Sequence, residues 1–278
     1  MEWLSAVEGL RSRREPGVLV TLAEVRGHSP REAGAKMVVS EAATWGSIGG
    51  GNLEATAVER ARAMLTEPGA TPAMFTVNLS DKAPVHHGVQ CCGGEVTVLL
   101  EPLAVLPAVA IFGVGHVGIE LARILARHEL DLHLVDSRPE QLTDQALSAL
   151  RDANARVHRH HVPVLPELVL AELPPGTHVL VMTHDHAEDA ALCDAALRTD
   201  HLGSIGLIGS RAKWNRFRKK LASEGFDEAT IARITTPIGV PELTSKQPAT
   251  IAVGIAAALL QTFERERSAR RQSDDVRR

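Results

Sequence analysis

Val109-Ala110-Ile111-Phe112-Gly113-Val114-Gly115-His116-Val117-Gly118 is an apolar run that turns through three glycines into residues with helical spacing. A strand leading at once into Gly-x-Gly-x-x-Gly and a helix is the phosphate-binding turn of a dinucleotide-type fold. Gly113 permits the tight turn, Gly115 lets backbone approach a phosphate, and Gly118 lets helix pack closely on strand. A second run, Leu132-His133-Leu134-Val135, ends in Asp136, at the distance where such folds place a ribose-binding acid. Outward from this turn the alternation continues, with strands expected at 109–113, 131–136, 156–160, 178–183 and 204–208 and helices at 116–128, 165–173, 187–198 and 211–224. Strict alternation implies a Rossmann-like, doubly wound parallel sheet covered on both faces by helices.

About a hundred residues precede the turn, and they read differently. Val18 to Val25 and Lys36 to Ser40 read as paired strands, Leu53 to Leu65 as a helix, and Phe75 to Leu79 and Glu95 to Leu100 as two more strands. The fold class is therefore α/β, with a C-terminal Rossmann-like sheet preceded by a smaller α+β domain. Glu101 to Pro107, with two prolines, is the expected linker. The domains expected are 1–104, 108–245, and a C-terminal helix with polar tail, 246–278. In that tail, Ile251, Ile255, Leu259 and Phe263 share one helical face, and Arg267 to Arg278 reads as a fraying end.

Composition excludes several functions. A net charge of -4 gives no electrostatic case for nucleic acid, and an aromatic content of 3% supplies no base-stacking platform. No apolar stretch is long enough to span a membrane, and Met1-Glu2-Trp3 begins no signal peptide, so a cytoplasmic protein is expected. Three cysteines, Cys91, Cys92 and Cys193, do not make a disulfide framework.

Four further segments could carry chemistry. Arg26-Gly27-His28-Ser29-Pro30-Arg31-Glu32-Ala33-Gly34 places two guanidinium forks in a loop, suited to an anion, although a polar hairpin loop reads the same way. In Gly46 to Glu54, Gly49, Gly50 and Gly51 run into Asn52, which is placed to cap a helix beginning near Leu53; amides freed by such glycines can face one phosphate. His86-His87-Gly88-Val89-Gln90-Cys91-Cys92-Gly93-Gly94 invites a zinc reading but lacks a second ligand pair, which leaves a reactive thiol or a buried strand cysteine. Thr183-His184-Asp185-His186 and Ile208-Gly209-Ser210-Arg211-Ala212-Lys213 follow consecutive strands, where open α/β sheets bind ligands. Ser210, Arg211 and Lys213 would favour a phosphate, while His184 and Asp185 could grip a polar ring, act as acid and base, or merely cap a helix.

Taken in order, the Arg26 to Met37 loop, Gly46 to Glu54, Gln90-Cys91-Cys92-Gly93-Gly94 with Glu101-Pro102, Thr183 to His186, Ile208 to Lys213 and Pro237-Ile238-Gly239 resemble the XdhC/CoxI family. These are accessory proteins for xanthine dehydrogenase and related molybdenum hydroxylases. The resemblance spans about Val20 to Leu260; it departs at Ser204-Ile205, where an aromatic is expected, and at His28. It implies a chaperone, not an enzyme, that binds molybdenum cofactor, protects it during sulfuration and inserts it into the dehydrogenase. Implied partners are the molybdenum-binding subunit of xanthine dehydrogenase, a cysteine desulfurase and a second copy of the chain; purine catabolism is the implied setting. In the N-terminal block the residues expected at the cofactor are Arg26, Ser29, Arg31, Gly49, Gly50, Gly51, Asn52, Cys92 and Gly93, with Cys92 (or, second, Cys91) touching molybdenum or sulfur. In the C-terminal block they are Gly113, Gly115, His116, Gly118, Asp136, His184, Asp185, Ser210, Arg211 and Lys213. The alternative is an NAD(P)-dependent oxidoreductase, in which Asp136 favours NAD and Ser137-Arg138 would permit a 2′-phosphate. A chain with no tyrosine cannot build the Tyr/Lys pair such enzymes often use.

Overall fold

The computed structural model describes residues 2–67, 69–79 and 93–275, so His86, His87, Cys91 and Cys92 lie outside the described residues. The described residues fall into two compact units, one within Met1–Val105 and Arg265–Arg278, the other Leu106–Glu264.

The first unit starts with helix α1 (Glu2–Arg13), then strands β1 (Gly17–Arg26), β2 (Lys36–Val39) and β3 (Thr44–Gly46), helix α2 (Gly51–Thr66), and strands β4 (Ala73–Asn78) and β5 (Glu95–Leu103). The strands form one antiparallel sheet in the order β3-β2-β1-β5-β4. Period-two alternation sends Val18, Val20 and Leu22 to one face, where Leu53, Ala57, Ala61 and Met64 of α2 meet them at helical spacing. The opposite face, at Val38 and Leu19, is covered by Ala6 and Leu10 of α1.

The second unit runs β6 (Ala108–Phe112), α3 (His116–Leu125), β7 (Asp131–Asp136), β8 (Arg156–His161), α4 (Val169–Glu172), β9 (His178–Val181), α5 (His186–Leu197), β10 (Ile205–Leu207), α6 (Arg211–Ser223), α7 (Glu228–Ile231), β11 (Ile234–Thr235) and α8 (Pro248–Asp275). All six strands are parallel, in the order β11-β10-β9-β6-β7-β8. Strand β6 is buried at every residue, as a central parallel strand covered on both faces must be. Val109 and Ile111 face a core shared with Leu121 and Leu125 of α3; Ala110 and Phe112 face one shared with Leu192, Cys193 and Ala196 of α5. Ala252, Ile255, Ala256 and Leu259 of α8 join the α3 side, so the first part of the helix set apart by sequence as 246–278 is built into the core of the second unit. Its helical turns continue to Asp275, past the Arg267 where fraying was expected.

Two other expectations shift. The helix expected at 165–173 opens as a 3-10 turn, Pro166–Leu168, and continues as the single-turn α4, with Leu165 in the left-handed region as its cap residue. The strand expected at 178–183 ends at Val181, since Thr183 already hydrogen-bonds to the Asp189 side chain of α5. No described helix is long and apolar enough to cross a membrane.

Candidate functional site

In the first unit, glycines bring the expected loops together. Arg26 ends β1 opposite Glu95, and a Cβ on Gly94 would stand 2.1 Å from the His28 carbonyl oxygen, so only glycine lets β5 begin against this loop. On the other side of the loop, a Cβ on Gly49 would stand 3.0 Å from Pro30 Cβ and 3.7 Å from Arg31 Cγ. Arg26, Ser29, Arg31, Gly49 and Gly93 therefore surround one loop cluster, with Gly93 the first described residue after Cys92. Ser29 Oγ is buried there and has no hydrogen-bond partner among the described residues. Arg31 is exposed and forms no ion pair among them, whereas Arg26 pairs with Glu24 at 2.9 Å and Glu95 at 3.8 Å.

The glycine triplet departs from its expected role. Glu54 Oε2 accepts from Ser47 Oγ at 2.6 Å and from the amides of Ile48 and Gly50 at 3.1 Å each, while the Gly49 amide donates to Ser47 Oγ at 3.1 Å. Of the glycine amides expected to face a phosphate, that of Gly50 is thus taken up by the Glu54 carboxylate, together with the Ile48 amide, and that of Gly49 by the Ser47 hydroxyl. Helix α2 begins at Gly51 with Gly50 as its cap residue and no side-chain cap, so Asn52 lies in the first turn and does not cap it. Beside Gly50 no atom of the described residues lies within 4 Å of the position a Cβ would occupy.

In the second unit the crevice lies beyond the carboxyl ends of β6 and β9, where the strand order reverses. The three glycines of the motif are there for different reasons. A Cβ on Gly113 (φ +100°) would stand 2.4 Å from Met182 O, and one on Gly118 would stand 2.2 Å from Gly113 O, so the fold itself forbids side chains at both. Gly115 has an ordinary φ of -78°, and the nearest atom to its missing Cβ is Arg138 Nη2 at 3.9 Å. His116 opens α3 and is exposed.

Asp136 is only 3% exposed and accepts four hydrogen bonds. Oδ1 takes the Arg138 amide and Nε, each at 2.9 Å; Oδ2 takes the Val114 amide at 2.7 Å and Arg138 Nη2 at 2.9 Å. Burial pushes this carboxyl up, but the Arg138 side chain, the two amides and the guanidinium charge outweigh it and hold the group below the usual carboxylate range. The acid expected to hold a ribose is thus bound to its own chain.

The strand-end segments resolve into caps and a buried ion pair. Asp185 caps α5, accepting from the amides of Ala187 at 2.6 Å and Glu188 at 3.4 Å, which hold its carboxyl low. Ser210 caps α6 through the Lys213 amide at 3.2 Å. Lys213, expected at a phosphate, instead reaches the fully buried Asp189 and donates to Ile208 O at 2.9 Å; its side chain is 10% exposed. Asp189 also accepts from Thr183 N at 3.0 Å and Thr183 Oγ1 at 2.8 Å, fastening β9, α5 and α6. His184 and Arg211 remain exposed. Half-buried Glu188 has its carboxyl pushed up by burial, with Asp136, Asp189 and Asp185 adding to that against the opposing pull of His184. The Cys193 thiol is pushed up to about 12, chiefly by burial, and is inert packing.

Sequence reasoning missed Glu54 and Asp189, and it offered Arg138 to a 2′-phosphate where the structure pairs it with Asp136. An acid after a helix start reads as a solvated first-turn charge. It also missed an imidazole stack: His133 of β7 lies 4.4 Å from His158 and 5.3 Å from His160 of β8, ring centre to ring centre, with His133 Nδ1 3.0 Å from His160 Nε2. His158 Nε2 is 3.6 Å from Asp131 Oδ1. Among the described residues no group of three or more His, Cys, Asp or Glu side chains is placed to hold a metal ion.

Residues 109–259, more than half of the chain, match the family described as the XdhC Rossmann domain, and residues 10–78 match the XdhC and CoxI family. The chain belongs to the XdhC and CoxI family. Among its relatives, the molybdenum cofactor insertion chaperone PaoD of Escherichia coli K12 is 26% identical over 269 residues, covering 84% of this chain and 80% of PaoD. YqeB of the same organism is 25% identical over 252 residues, 91% of this chain; the chain spans only 44% of YqeB. A crystal structure of a xanthine dehydrogenase from Bacillus halodurans matches with 19% identity and a TM-score of 0.46, covering 95% of this chain and 96% of that one.

Proposed function

We propose that this XdhC-family chain is an accessory protein without turnover of its own. It binds molybdenum cofactor, protects it while the terminal sulfido ligand is installed, and inserts it into xanthine dehydrogenase or a related molybdenum hydroxylase in the cytoplasm. The observation that carries this reading is the likeness to PaoD over four-fifths of both chains. The partners proposed are the molybdenum-binding subunit of the client, a cysteine desulfurase and a second copy of the chain.

The cargo is a phosphorylated pyranopterin with a dithiolene-held metal, and the loop cluster of the first unit fits such a group. Ser29 Oγ is a buried donor with no partner among the described residues, Arg31 is an exposed guanidinium with no ion pair among them, and Gly50 leaves open space for an approaching group. Arg31 and Ser29 would hold the phosphate; the Cys92 thiol, or Cys91 in its place, would contact molybdenum or sulfur. The oxidoreductase alternative loses support at Asp136, whose carboxylate is already bound by Arg138 and Val114.

The test is to purify the chain from a cofactor-replete host, oxidise it, and read released pterin fluorescence beside molybdenum analysis. Stoichiometric pterin is expected, with Arg31→Ala and Cys92→Ala retaining less at unchanged circular dichroism. Stoichiometric NAD with no pterin would overturn the proposal.

A further inference from the structure

In a dinucleotide-type crevice the acid at the end of the second strand accepts the hydroxyls of a ribose. An ionised carboxylate offers about four lone-pair positions. In Asp136 all of them are directed at the chain: the Val114 and Arg138 amides take one on each oxygen, and Arg138 Nε and Nη2 take the other pair. The two amides belong to the backbone of the glycine turn and the strand end, and remain whatever side chain stands at 138. The guanidinium is therefore what closes the acceptor. It is a planar, always charged fork, matched to both carboxylate oxygens at once.

The rest of the crevice is intact. The turn has its tight Gly113, its helix-packing Gly118 and its unobstructed Gly115, and the Arg138 fork stands 3.9 Å from the Cβ position of Gly115. Among the described residues nothing in the packing requires glycine at 115, so a phosphate can still approach the turn there. Only the hydroxyl acceptor has been removed.

We infer that Arg138 is a specificity-determining residue: by forking onto Asp136 it occupies the ribose acceptor, so this crevice rejects NAD+, whose adenosine ribose presents a 2′,3′-diol, and admits phosphorylated ligands that present no diol at that point. A pyranopterin phosphate is such a ligand, but the inference does not rest on the cofactor-carrier reading: an absence of released pterin would sink that reading alone, whereas this one is tested by NAD+ binding to variants at 138 and 136. With Arg138 removed, Asp136 keeps one free position on each oxygen, the arrangement that two adjacent hydroxyls need. Lysine at 138 keeps the charge but is a point donor that cannot bridge both oxygens.

The experiment is calorimetric titration of the full chain with NAD+. The wild type should show no saturable binding at about 1 mM. Arg138→Ala should gain at least about tenfold in NAD+ affinity, the size carried by one hydrogen bond to a charged acceptor, and Arg138→Lys a smaller gain. Adding Asp136→Asn to Arg138→Ala should abolish the gain. Far-ultraviolet circular dichroism and melting confirm that each variant is folded; the lysine variant, which retains a counter-charge for Asp136, secures this control. Wild type binding NAD+ as tightly as Arg138→Ala would overturn the inference, as would no gain in either folded variant or a gain that survives Asp136→Asn.

Discussion

Replacing Lys213 with methionine separates two roles for a residue that its motif offers to a phosphate. In the structure its ammonium lies against Asp189, which is 0% exposed, and the lysine side chain is itself only 10% exposed. Methionine fills a similar volume but leaves the Asp189 carboxylate buried with two neutral donors, Thr183 N at 3.0 Å and Thr183 Oγ1 at 2.8 Å. Breaking a buried pair from one side costs about 3–5 kcal/mol, and the two remaining hydrogen bonds place this case near the lower end, at roughly 3 kcal/mol. For a unit of this size that corresponds to a melting temperature lower by about 6–12 °C. Urea unfolding followed by circular dichroism, on ligand-free protein, measures it for Lys213→Met, Asp189→Asn and the double variant. The double variant should be less destabilised than the sum of the singles, since neutralising Asp189 removes the stranded charge. A single-variant loss under about 1 kcal/mol, or strict additivity, would refute the reasoning and return Lys213 to the ligand.

Glu54→Ala should destabilise the first unit by about 1–3 kcal/mol, since three donors lose one charged acceptor, and should raise its affinity for inorganic phosphate by freeing the amides of Ile48 and Gly50; unchanged phosphate binding in equilibrium dialysis would count against an anion role for that turn. The imidazole stack sets a pH dependence. Burial, then the charge of His158, push His160 below its ordinary value against the weaker pull of Glu172, so the folded chain binds fewer protons there than the unfolded one. Its contribution is therefore complete above about pH 6.5 and is lost as pH falls below that toward the lowered folded value. The urea midpoint should drop between about pH 7.5 and 5.5, and His160→Gln should flatten the slope; a midpoint that rises on acidification would rule the mechanism out.

Much of the second unit could be read directly from the chain because one physical demand, burial on both faces, writes continuous apolar runs such as Val109 to Phe112 and spaces Leu121 and Leu125 on a helix. The glycine turn was legible for a related reason: contacts of 2.4 Å and 2.2 Å to backbone oxygens admit no other residue at 113 and 118. Side-chain partners were not legible. Whether Asp136 faces a ribose or an arginine, and whether Lys213 faces a phosphate or Asp189, depends on rotamers and on residues up to 24 positions away, which no local pattern encodes. In the first unit the same limit applies to Glu54, whose distance of four residues from Gly50 looked like ordinary helix surface. Leu165 shows a third case: an apolar residue before proline, held at φ 56°, stands as the cap before the helical turns that periodicity alone would start with it.

The unequal grounds for the three glycines of the turn have an evolutionary corollary. Selection on folding alone keeps Gly113 and Gly118, because any variant there fails before function is tested. Gly115, with room beside it and a backbone angle open to every residue, is held only by whatever occupies the crevice. Tolerance at this one position therefore reports occupancy. Where relatives, or a saturation library selected for function, accept alanine or serine at 115, the crevice has fallen out of use, and where such a change spares the fold but not function, a ligand is still being selected for.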